Sequence, residues 1–154
     1  MHRLAAFYFA YFCHLGAYVA YFSLWLAARG FTPAEIAAVL ALPQVVRIAA
    51  PAVWGWAADV RGARFPGGQR GMVVASSLLA TLSFCGLLVA RDLPSVILCV
   101  VATAVFTSGI LPLVEAMTLG ALAGRVEGYG PIRLWGSVGF VASVLALGVL
   151  LDLA

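Results

Sequence analysis

The sequence contains no lysine and few charged residues of any kind. Charged side chains make up 10% of its 154 residues, whereas hydrophobic side chains make up 64%. Soluble domains carry about 25% charged residues, so this scarcity excludes an ordinary soluble domain. The net charge of +3 comes from arginines spread along the chain, which gives no support to nucleic-acid binding.

Cysteine is also scarce, and its positions show no paired spacing. Cys13, Cys85 and Cys99 all lie in apolar runs, where buried, reduced cysteine is the usual state. We therefore expect no disulfide framework, metal site or cofactor. The sequence has no H-E-x-x-H or G-x-S-x-G motif, and His14 stands alone in an apolar run. We do not expect an enzyme.

Five apolar runs are each long enough to cross a bilayer, which takes about 20 residues. They cover residues 4–28, 33–58, 71–90, 95–123 and 132–151. The sequence Thr32-Pro33-Ala34-Glu35 predicts a capped helix start at the second run. Small residues recur four apart, a spacing typical of packed membrane helices. These pairs are Ala34/Ala38, Ala37/Ala41, Ser76/Ala80 and Gly139/Ser143. We predict an all-α integral membrane fold with one membrane domain over residues 1–154.

The arginines predict the orientation of the chain in the membrane. Those at the N-terminus and in the loops on the same side are Arg3, Arg61, Arg64, Arg70 and Arg125. Only Arg29 and Arg91 flank the opposite loops. By the positive-inside rule the N-terminus is cytoplasmic and the fifth span ends outside. We expect a multi-pass protein of the inner, cytoplasmic membrane.

Arg47, Glu115 and Arg133 lie inside the apolar runs, where an unpaired charge costs roughly 2.5–3.5 kcal/mol. Arg47 is near the centre of the second run and requires a protein interior or a wet cavity. Glu115 follows the helix-bending Pro112 in the fourth run, and Arg133 opens the fifth. The short turn between these runs makes them antiparallel neighbours. We predict that Glu115 and Arg133 lie at similar depth, as a solute site or as a structural ion pair.

Two further residues share a helix face with Arg133. Ser137 and Phe140 follow it by four and seven positions. The three side chains offer a bidentate donor, a hydroxyl and an aromatic ring. This set suits a small polar ligand with a flat apolar surface, while ordinary packing is the alternative for Ser137 and Phe140.

The end of the second run resembles the loop between the second and third helices of the major facilitator superfamily. Gly55, Asp59, Gly62 and Arg64 match the pattern G-x-x-x-D-x-x-G-x-R. We expect Gly55 to permit close helix contact and Gly62 to adopt a left-handed turn conformation. Asp59 would accept backbone hydrogen bonds or pair with an arginine, and Arg64 would bind helix carbonyls or lipid phosphate.

The start of the fifth run is similar to the lactose permease branch of that superfamily. It reads Y-G-x-x-R-x-(aromatic)-G-x-V-G-(aromatic), and Glu115 precedes Arg133 by the spacing that this branch uses. With Arg47, the sequence looks closer still to the 3-phenylpropionic acid permease subgroup. The resemblance implies that Glu115 and Arg133 bind the ligand and that Phe140 stacks on its ring. The sugar permeases have tryptophan there, so phenylalanine favours an aromatic or apolar ligand.

The resemblance implies the N-terminal five helices of a twelve-helix fold, with the first three-helix repeat complete and the second incomplete. We therefore expect a fragment whose partners are the bilayer and a missing C-terminal half. The predicted function is secondary active transport, with proton-coupled symport of a small organic anion such as an aromatic carboxylate. Arg47 or Arg133 would attract the carboxylate, and Tyr18 would contact the ring. A sugar or nucleoside symporter and a non-transporting membrane scaffold protein are the alternatives.

Overall fold

The computed structural model describes residues 2–122 and 126–153, and within these ranges the chain forms helices joined by short turns, without a strand. The five long helices are α1 (His2–Ala28), α2 (Pro33–Arg61), α3 (Gly68–Cys85), α4 (Leu93–Leu122) and α5 (Tyr129–Asp152). Each is long and apolar enough to cross a membrane. The all-α integral membrane fold is thus confirmed, and the chain is a multi-pass membrane protein.

The helix boundaries differ from the expected spans by a few residues. The largest difference is at α3, which begins at Gly68 and passes at Cys85 into a 3-10 turn, Gly86–Leu88. The expected span was 71–90. The turn expected before α5 falls partly on residues 123–125, so Arg125 lies outside the described residues.

The turn from α1 to α2 combines a glycine with the predicted helix cap. Gly30 has a φ of 84°, a left-handed conformation that glycine adopts without steric cost. The amide and the hydroxyl of Thr32 each donate to Oε2 of Glu35 at 2.8 Å. In return, the Glu35 amide donates to the Thr32 hydroxyl at 3.4 Å. Pro33 takes the first helical position, so the predicted capped start is confirmed.

The start of α4 is capped by an acid in the same manner. Oδ2 of Asp92 accepts a hydrogen bond from the Ser95 amide at 3.2 Å, and Oδ1 accepts one from the Ser95 hydroxyl at 3.0 Å. The amide and, after it, the hydroxyl hold the pKa of Asp92 below its ordinary value. These bonds satisfy donors that the first turn of a helix otherwise leaves unpaired.

Contacts divide the described helices into two compact units. The first contains α1, α5 and the part of α4 from Thr118 onward. The second contains α2, α3 and α4 as far as Met117.

In the first unit, α1 and α5 pack along their lengths and run in the same direction. The backbone of Phe9 contacts Gly139, and one turn or more further along, the Tyr21 hydroxyl donates to the carbonyl of Val144 at 2.7 Å. The contacts advance together along both helices, which makes the pair parallel. Two odd-numbered spans run parallel when every turn between them reverses the chain.

Two glycines permit this close approach. A methyl group at Gly139 would overlap the carbonyl oxygen of Phe9, and one at Gly16 would lie 2.8 Å from the carbonyl oxygen of Phe140. The Cys13 thiol also donates to the Gly139 carbonyl at 3.2 Å. Contact of backbone on backbone is how helices pack without large side chains in lipid.

Some of the predicted small-residue pairs pack against a neighbouring helix and others do not. Gly139 and Ser143 both lie against α1, and Ser76 and Ala80 of α3 are buried. The alanine pairs of α2 are exposed in the described chain. Packing through small residues is therefore confirmed for α5 and α3 and is wrong for α2 within this chain, because no described helix covers that face of α2.

In the second unit, α2 contacts α4 through one large side chain. Nε1 of Trp54 donates to the carbonyl of Val105 at 2.8 Å, and its ring lies against Gly109. The end of α3 meets α4 at another glycine, since a methyl group at Gly86 would lie 2.8 Å from Sγ of Cys99.

Candidate functional site

The side chain of Arg133 lies between α5 and the first half of α1. Its guanidinium carbon is 4.2 Å from the ring centre of Phe12 and 5.6 Å from that of Tyr8. Arg133 is half-buried. A guanidinium over an aromatic face is attracted by the negative charge of the ring face, and the attraction grows as water is excluded. The two rings therefore hold the charge of Arg133 at the helix contact.

Gly136 makes room for this arrangement. It follows Arg133 by three positions, so it lies beside Arg133 on α5. A methyl group there would be 2.8 Å from Cδ2 of Phe12 and 3.0 Å from Nη1 of Arg133. Any larger residue at this position would displace the ring, the guanidinium or both.

Tyr8 contacts both α5 and the end of α4. It is fully buried, as is Thr118 at the end of α4. The two hydroxyl oxygens are 3.5 Å apart, which is a long hydrogen bond. Tyr8 thus links Arg133 on α5 to Thr118 on α4.

The predicted face of Arg133, Ser137 and Phe140 exists, because α5 is helical throughout. Its members have different surroundings. Arg133 is half-buried against α1 and Phe140 is half-buried, whereas Ser137 is exposed. The ligand roles of Ser137 and Phe140 stay predictions.

Glu115 is half-buried on α4, three residues after Pro112. It belongs to the second unit, while Arg133 belongs to the first. Their pairing therefore stays a prediction.

Arg47 lies in the middle of α2, with Pro43 and Pro51 one turn to either side. The side chain is exposed. The expectation that the protein encloses Arg47 is not met by this chain, because its described helices leave that part of α2 uncovered. A wet cavity around Arg47 stays a prediction.

Arg47 and Glu115 also lie at different levels of the second unit. Trp54 contacts Val105 and Gly109, and α2 and α4 run in the same direction because α3 reverses the chain between them. Arg47 precedes this contact by seven residues and Glu115 follows Gly109 by six. At about 1.5 Å per residue the two charges are roughly 20 Å apart along the helices. One small ligand cannot bind both at once.

Tyr18 is part of a stack of rings along α1. Its ring centre is 4.6 Å from that of Phe22 and 6.4 Å from that of His14. The stack continues from Phe22 to Trp25 at 5.6 Å and ends with the guanidinium carbon of Arg29, 4.6 Å from the ring centre of Trp25. Tyr18 lies six residues beyond Phe12, and thus away from the ring that contacts Arg133.

The loop after α2 departs from the expected geometry at Gly62. This residue has a φ of −56°, so the prediction of a left-handed turn there is wrong. The chain continues into a 3-10 turn, Gly62–Arg64, and the reversal occurs at Gly67 and Gly68, whose φ values are 79° and 62°. Gly62 is instead buried where α3 begins, and a methyl group on it would lie 3.5 Å from Cγ of Gln69.

The other residues of this loop do not make the expected contacts with the described residues. Nothing described lies within 4 Å of the place where a methyl group of Gly55 would be. The side chains of Asp59 and Arg64 are exposed, and neither forms a hydrogen bond or ion pair with any residue in 2–122 or 126–153. Their roles in the loop stay predictions.

Sequence reasoning missed Tyr8, Phe12 and Gly136 as parts of the arginine site. The aromatic residues of α1 were all visible, but their partners depend on which helix packs against α1. Tyr8 and Phe12 are four residues apart, a spacing that puts both rings on one face. Phe7 and Tyr11 have the same spacing, as do Tyr18 and Phe22, so this signal alone does not single out the partners of Arg133.

The five spans and the half-buried arginine define a polytopic membrane protein with a charged site at a helix contact. A family model described as the MFS_1 like family matches residues 1–154. The maltose permease of Geobacillus stearothermophilus is 34% identical over 147 residues, which cover 95% of this chain and 36% of the permease. The probable 3-phenylpropionic acid transporter of Escherichia coli (strain K12) is 30% identical over 155 residues, covering 97% of this chain and 38% of that protein. No solved structure matches significantly.

The chain belongs to the MFS_1-like family, within the major facilitator superfamily, and the resemblance seen in its motifs is confirmed. It spans little more than a third of the length of the curated relatives it matches.

Proposed function

We propose that the chain is part of a secondary active transporter that carries a small organic anion together with protons, and that an aromatic carboxylate is its substrate. The observation that carries this proposal is the half-buried guanidinium of Arg133, held over the rings of Phe12 and Tyr8. A fixed positive charge beside aromatic faces matches a ligand that has a carboxylate and a ring.

The chemistry of the guanidinium allows this role. Stacking on Phe12 uses the face of the group, whereas its five N–H donors lie in its plane. A carboxylate accepts two of them in a bidentate pair. We propose that Arg133 binds the substrate carboxylate and that Glu115, which the family resemblance makes a ligand-binding acid, also takes part in binding.

The remaining residues have proposed roles of their own. Phe140 and Ser137 would contact the ring and a polar substituent of the substrate. Tyr18 would contact the ring at another stage of its passage. Arg47, roughly 20 Å from Glu115 along the helices, would attract the anion separately.

Four residues would control the conformation of the loop between α2 and α3 when the protein changes state. They are Gly55, Asp59, Gly62 and Arg64. The arginine distribution supports a protein of the cytoplasmic membrane whose N-terminus is cytoplasmic.

A sugar is the second candidate substrate. The maltose permease shares 34% identity with this chain and the probable 3-phenylpropionic acid transporter shares 30%, so identity alone does not favour the carboxylate. A sugar ring also packs on an aromatic face, but it has no charge that would need Arg133.

The test is uptake by the full-length protein in proteoliposomes, with labelled 3-phenylpropionate and labelled maltose measured in parallel. We expect uptake of the carboxylate that is driven by a proton gradient. Arg133→Lys keeps the charge but loses the bidentate geometry, and we expect its KM to rise about tenfold, which corresponds to about 1.4 kcal/mol.

Arg29→Lys is the matched control, because Arg29 also lies over an aromatic ring but at the end of α1. Its KM should stay within about twofold of wild type. Full uptake by both Arg133→Lys and Glu115→Gln would contradict the residue assignment. Uptake of maltose in place of the carboxylate would favour the second candidate.

A further inference from the structure

We infer that Trp54 is a positioning residue that fixes α4 ahead of its proline and thereby sets the place of Glu115. The inference rests on the proposed ligand-binding role of Glu115, although the contact itself does not. Nothing in the sequence motifs assigns a role to Trp54, which precedes the first motif glycine by one position.

The contact joins α2 to α4 by two interactions at one point. The indole N–H of Trp54 donates to the carbonyl of Val105 at 2.8 Å. One turn further along α4, Gly109 lies under the ring. A methyl group on Gly109 would be 2.6 Å from Cδ2 and 2.7 Å from Cδ1 of Trp54. The ring thus rests on the backbone of α4, and only glycine fits beneath it.

Next to this point, α4 lacks one of its own backbone hydrogen bonds. Pro112 has no amide hydrogen, so the carbonyl of Ser108 lacks the donor that a regular helix supplies. The carbonyl of Val105 accepts both from Trp54 and from the Ser108 hydroxyl, the latter at 2.7 Å. These donors compete with the amide of Gly109 for that oxygen, and such bonds bend helices.

The preceding turns of α4 carry the same kind of bond. The Thr103 hydroxyl donates to the carbonyl of Cys99 at 2.7 Å, and the Thr107 hydroxyl donates to that of Thr103 at 2.8 Å. The hydroxyls of Thr103, Thr107 and Ser108 therefore all donate to carbonyls about one turn earlier, in the segment that leads up to the proline. A bend angle in such a segment is set by external contacts rather than by the helix alone.

α2 is weakened next to the same contact. Pro51 precedes Trp54 by three residues, and its missing amide leaves the carbonyl of Arg47 without a helical donor. The Trp54 contact thus joins two helices near the place where each has lost a hydrogen bond. A link at that position restrains bending of both helices.

Glu115 is displaced by any change in the bend of α4. It lies six residues beyond Gly109, or about 9 Å along the helix. Pro112 is three residues, or about 4.5 Å, before Glu115. A change of about 10° in the bend there would move the Glu115 backbone by about 0.8 Å, more than the ~0.5 Å within which binding groups must be held. The contact at Gly109 is therefore able to decide whether Glu115 reaches its ligand or partner.

The first experiment measures the contact without transport. Hydrogen–deuterium exchange of the full-length protein in lipid nanodiscs follows the amides of residues 105–116. Trp54→Phe keeps a ring over Gly109 but removes the donor, and we expect exchange there to quicken about two- to tenfold, the range for one hydrogen bond. Trp56→Phe is the matched control, because Trp56 is in the same helix and is 59% exposed. Equal exchange in both variants would overturn the inference.

The second experiment tests the pair by a double-mutant cycle. Gly109→Ala should force the ring of Trp54 away and quicken exchange in the same segment. In a Trp54→Ala background the added methyl group meets no ring, so Gly109→Ala should then have little further effect. Effects that simply add would show that the two residues do not act through each other.

The third measurement links the contact to Glu115. Trp54→Phe should raise the KM for the transported solute severalfold with a maximal rate within about twofold of wild type, since a binding group is displaced. Faster exchange with an unchanged KM would overturn the positioning of Glu115. If the wild type takes up no solute, the proposed function fails, while the exchange results still decide on the Trp54 contact.

Discussion

The two units hold their helices together by different means. In the first, α1 and α5 meet backbone to backbone at Gly16 and Gly139. In the second, each of two helices has a side-chain cap at its start, at Thr32 and Asp92, and α2 meets α4 through the large side chain of Trp54. The first arrangement brings two helix backbones into contact, while the second places a large side chain on the backbone of the neighbouring helix.

The difference indicates where the chain can deform. Glycine contacts spread along a helix pair fix its register and distance, because each close approach excludes sliding. α5 has no side-chain cap at its start, yet α1 supports it along its length. α2 and α4 contain internal prolines, and each such proline removes a backbone hydrogen bond from its helix. We expect stability to depend on helix contacts in the first unit and on individual side chains in the second.

Gly139→Ala should have the largest effect on stability. Its methyl group would overlap the Phe9 carbonyl, and overpacking of this kind costs about 1–3 kcal/mol. The free energy of unfolding can be measured in mixed micelles by titration with a denaturing detergent. Gly120→Ala is the matched control, since no described atom lies within 4 Å of the place its methyl group would take. Similar losses in both variants would mean that the α1–α5 contact is not the source of stability.

Phe12→Leu should weaken substrate binding in the first unit while leaving its helices packed. Leucine fills much of the ring's volume but has no aromatic face for the guanidinium, which lies 4.2 Å away. The loss of a partly buried cation–π contact is worth about 0.5–2 kcal/mol, or roughly a two- to thirtyfold rise in KM in the uptake assay. Tyr8→Phe keeps its ring and loses only a 3.5 Å hydroxyl contact, so it should change KM far less. The reverse order would assign the site to Tyr8 and Thr118.

Thr32→Ala tests the second unit, with an expected loss of about 1 kcal/mol in the free energy of unfolding. The alanine removes the hydroxyl that donates to the Glu35 carboxylate and accepts from the Glu35 amide. Thr32→Ser retains that hydroxyl and should be nearly neutral. A loss close to that of Gly139→Ala would mean that the two units do not differ in what stabilises them.

The sequence was sufficient for the fold because bilayer thickness and hydropathy determine helix length. The cap at Thr32 was also predictable, since all its hydrogen bonds join residues within one turn. The partners of Arg133 were not predictable. Nine aromatic residues lie on α1, and only the packing of α5 against Gly16 selects Phe12 and Tyr8 among them.

The conformation of the loop after α2 was also not predictable from the sequence, although the residues involved are close together in the chain. The pattern there includes Gly62, but Gly67 and Gly68 also follow within six residues, and any of them can take positive φ. In the structure α2 continues to Arg61 and passes into a 3-10 turn, so the positive φ values fall on Gly67 and Gly68. The exposure of Arg47 was likewise hidden, because the sequence does not show which helix faces are covered.

The smallest predicted effect is a pH dependence of the free energy of unfolding that comes from the Asp92 cap at the start of α4. The Ser95 amide and hydroxyl lower the pKa of folded Asp92, while the unfolded chain has the ordinary value of about 3.9. The stabilisation is thus fully present above that ordinary value and is lost as pH falls through the folded value. Asp92→Asn still caps the helix but does not titrate. The difference in unfolding free energy between wild type and Asp92→Asn should therefore be constant near neutrality and should decrease below about pH 4.

Ser95→Ala separates the two causes of that pKa shift. It removes the hydroxyl donor and keeps the amide, which contributes more, so most of the pH dependence should remain. If the wild type and Asp92→Asn instead keep the same difference down to about pH 3, the carboxylate of Asp92 does not stabilise α4 by its charge. The second unit would then depend on Trp54 even more than its structure indicates, because one of its two helix caps would act through geometry alone.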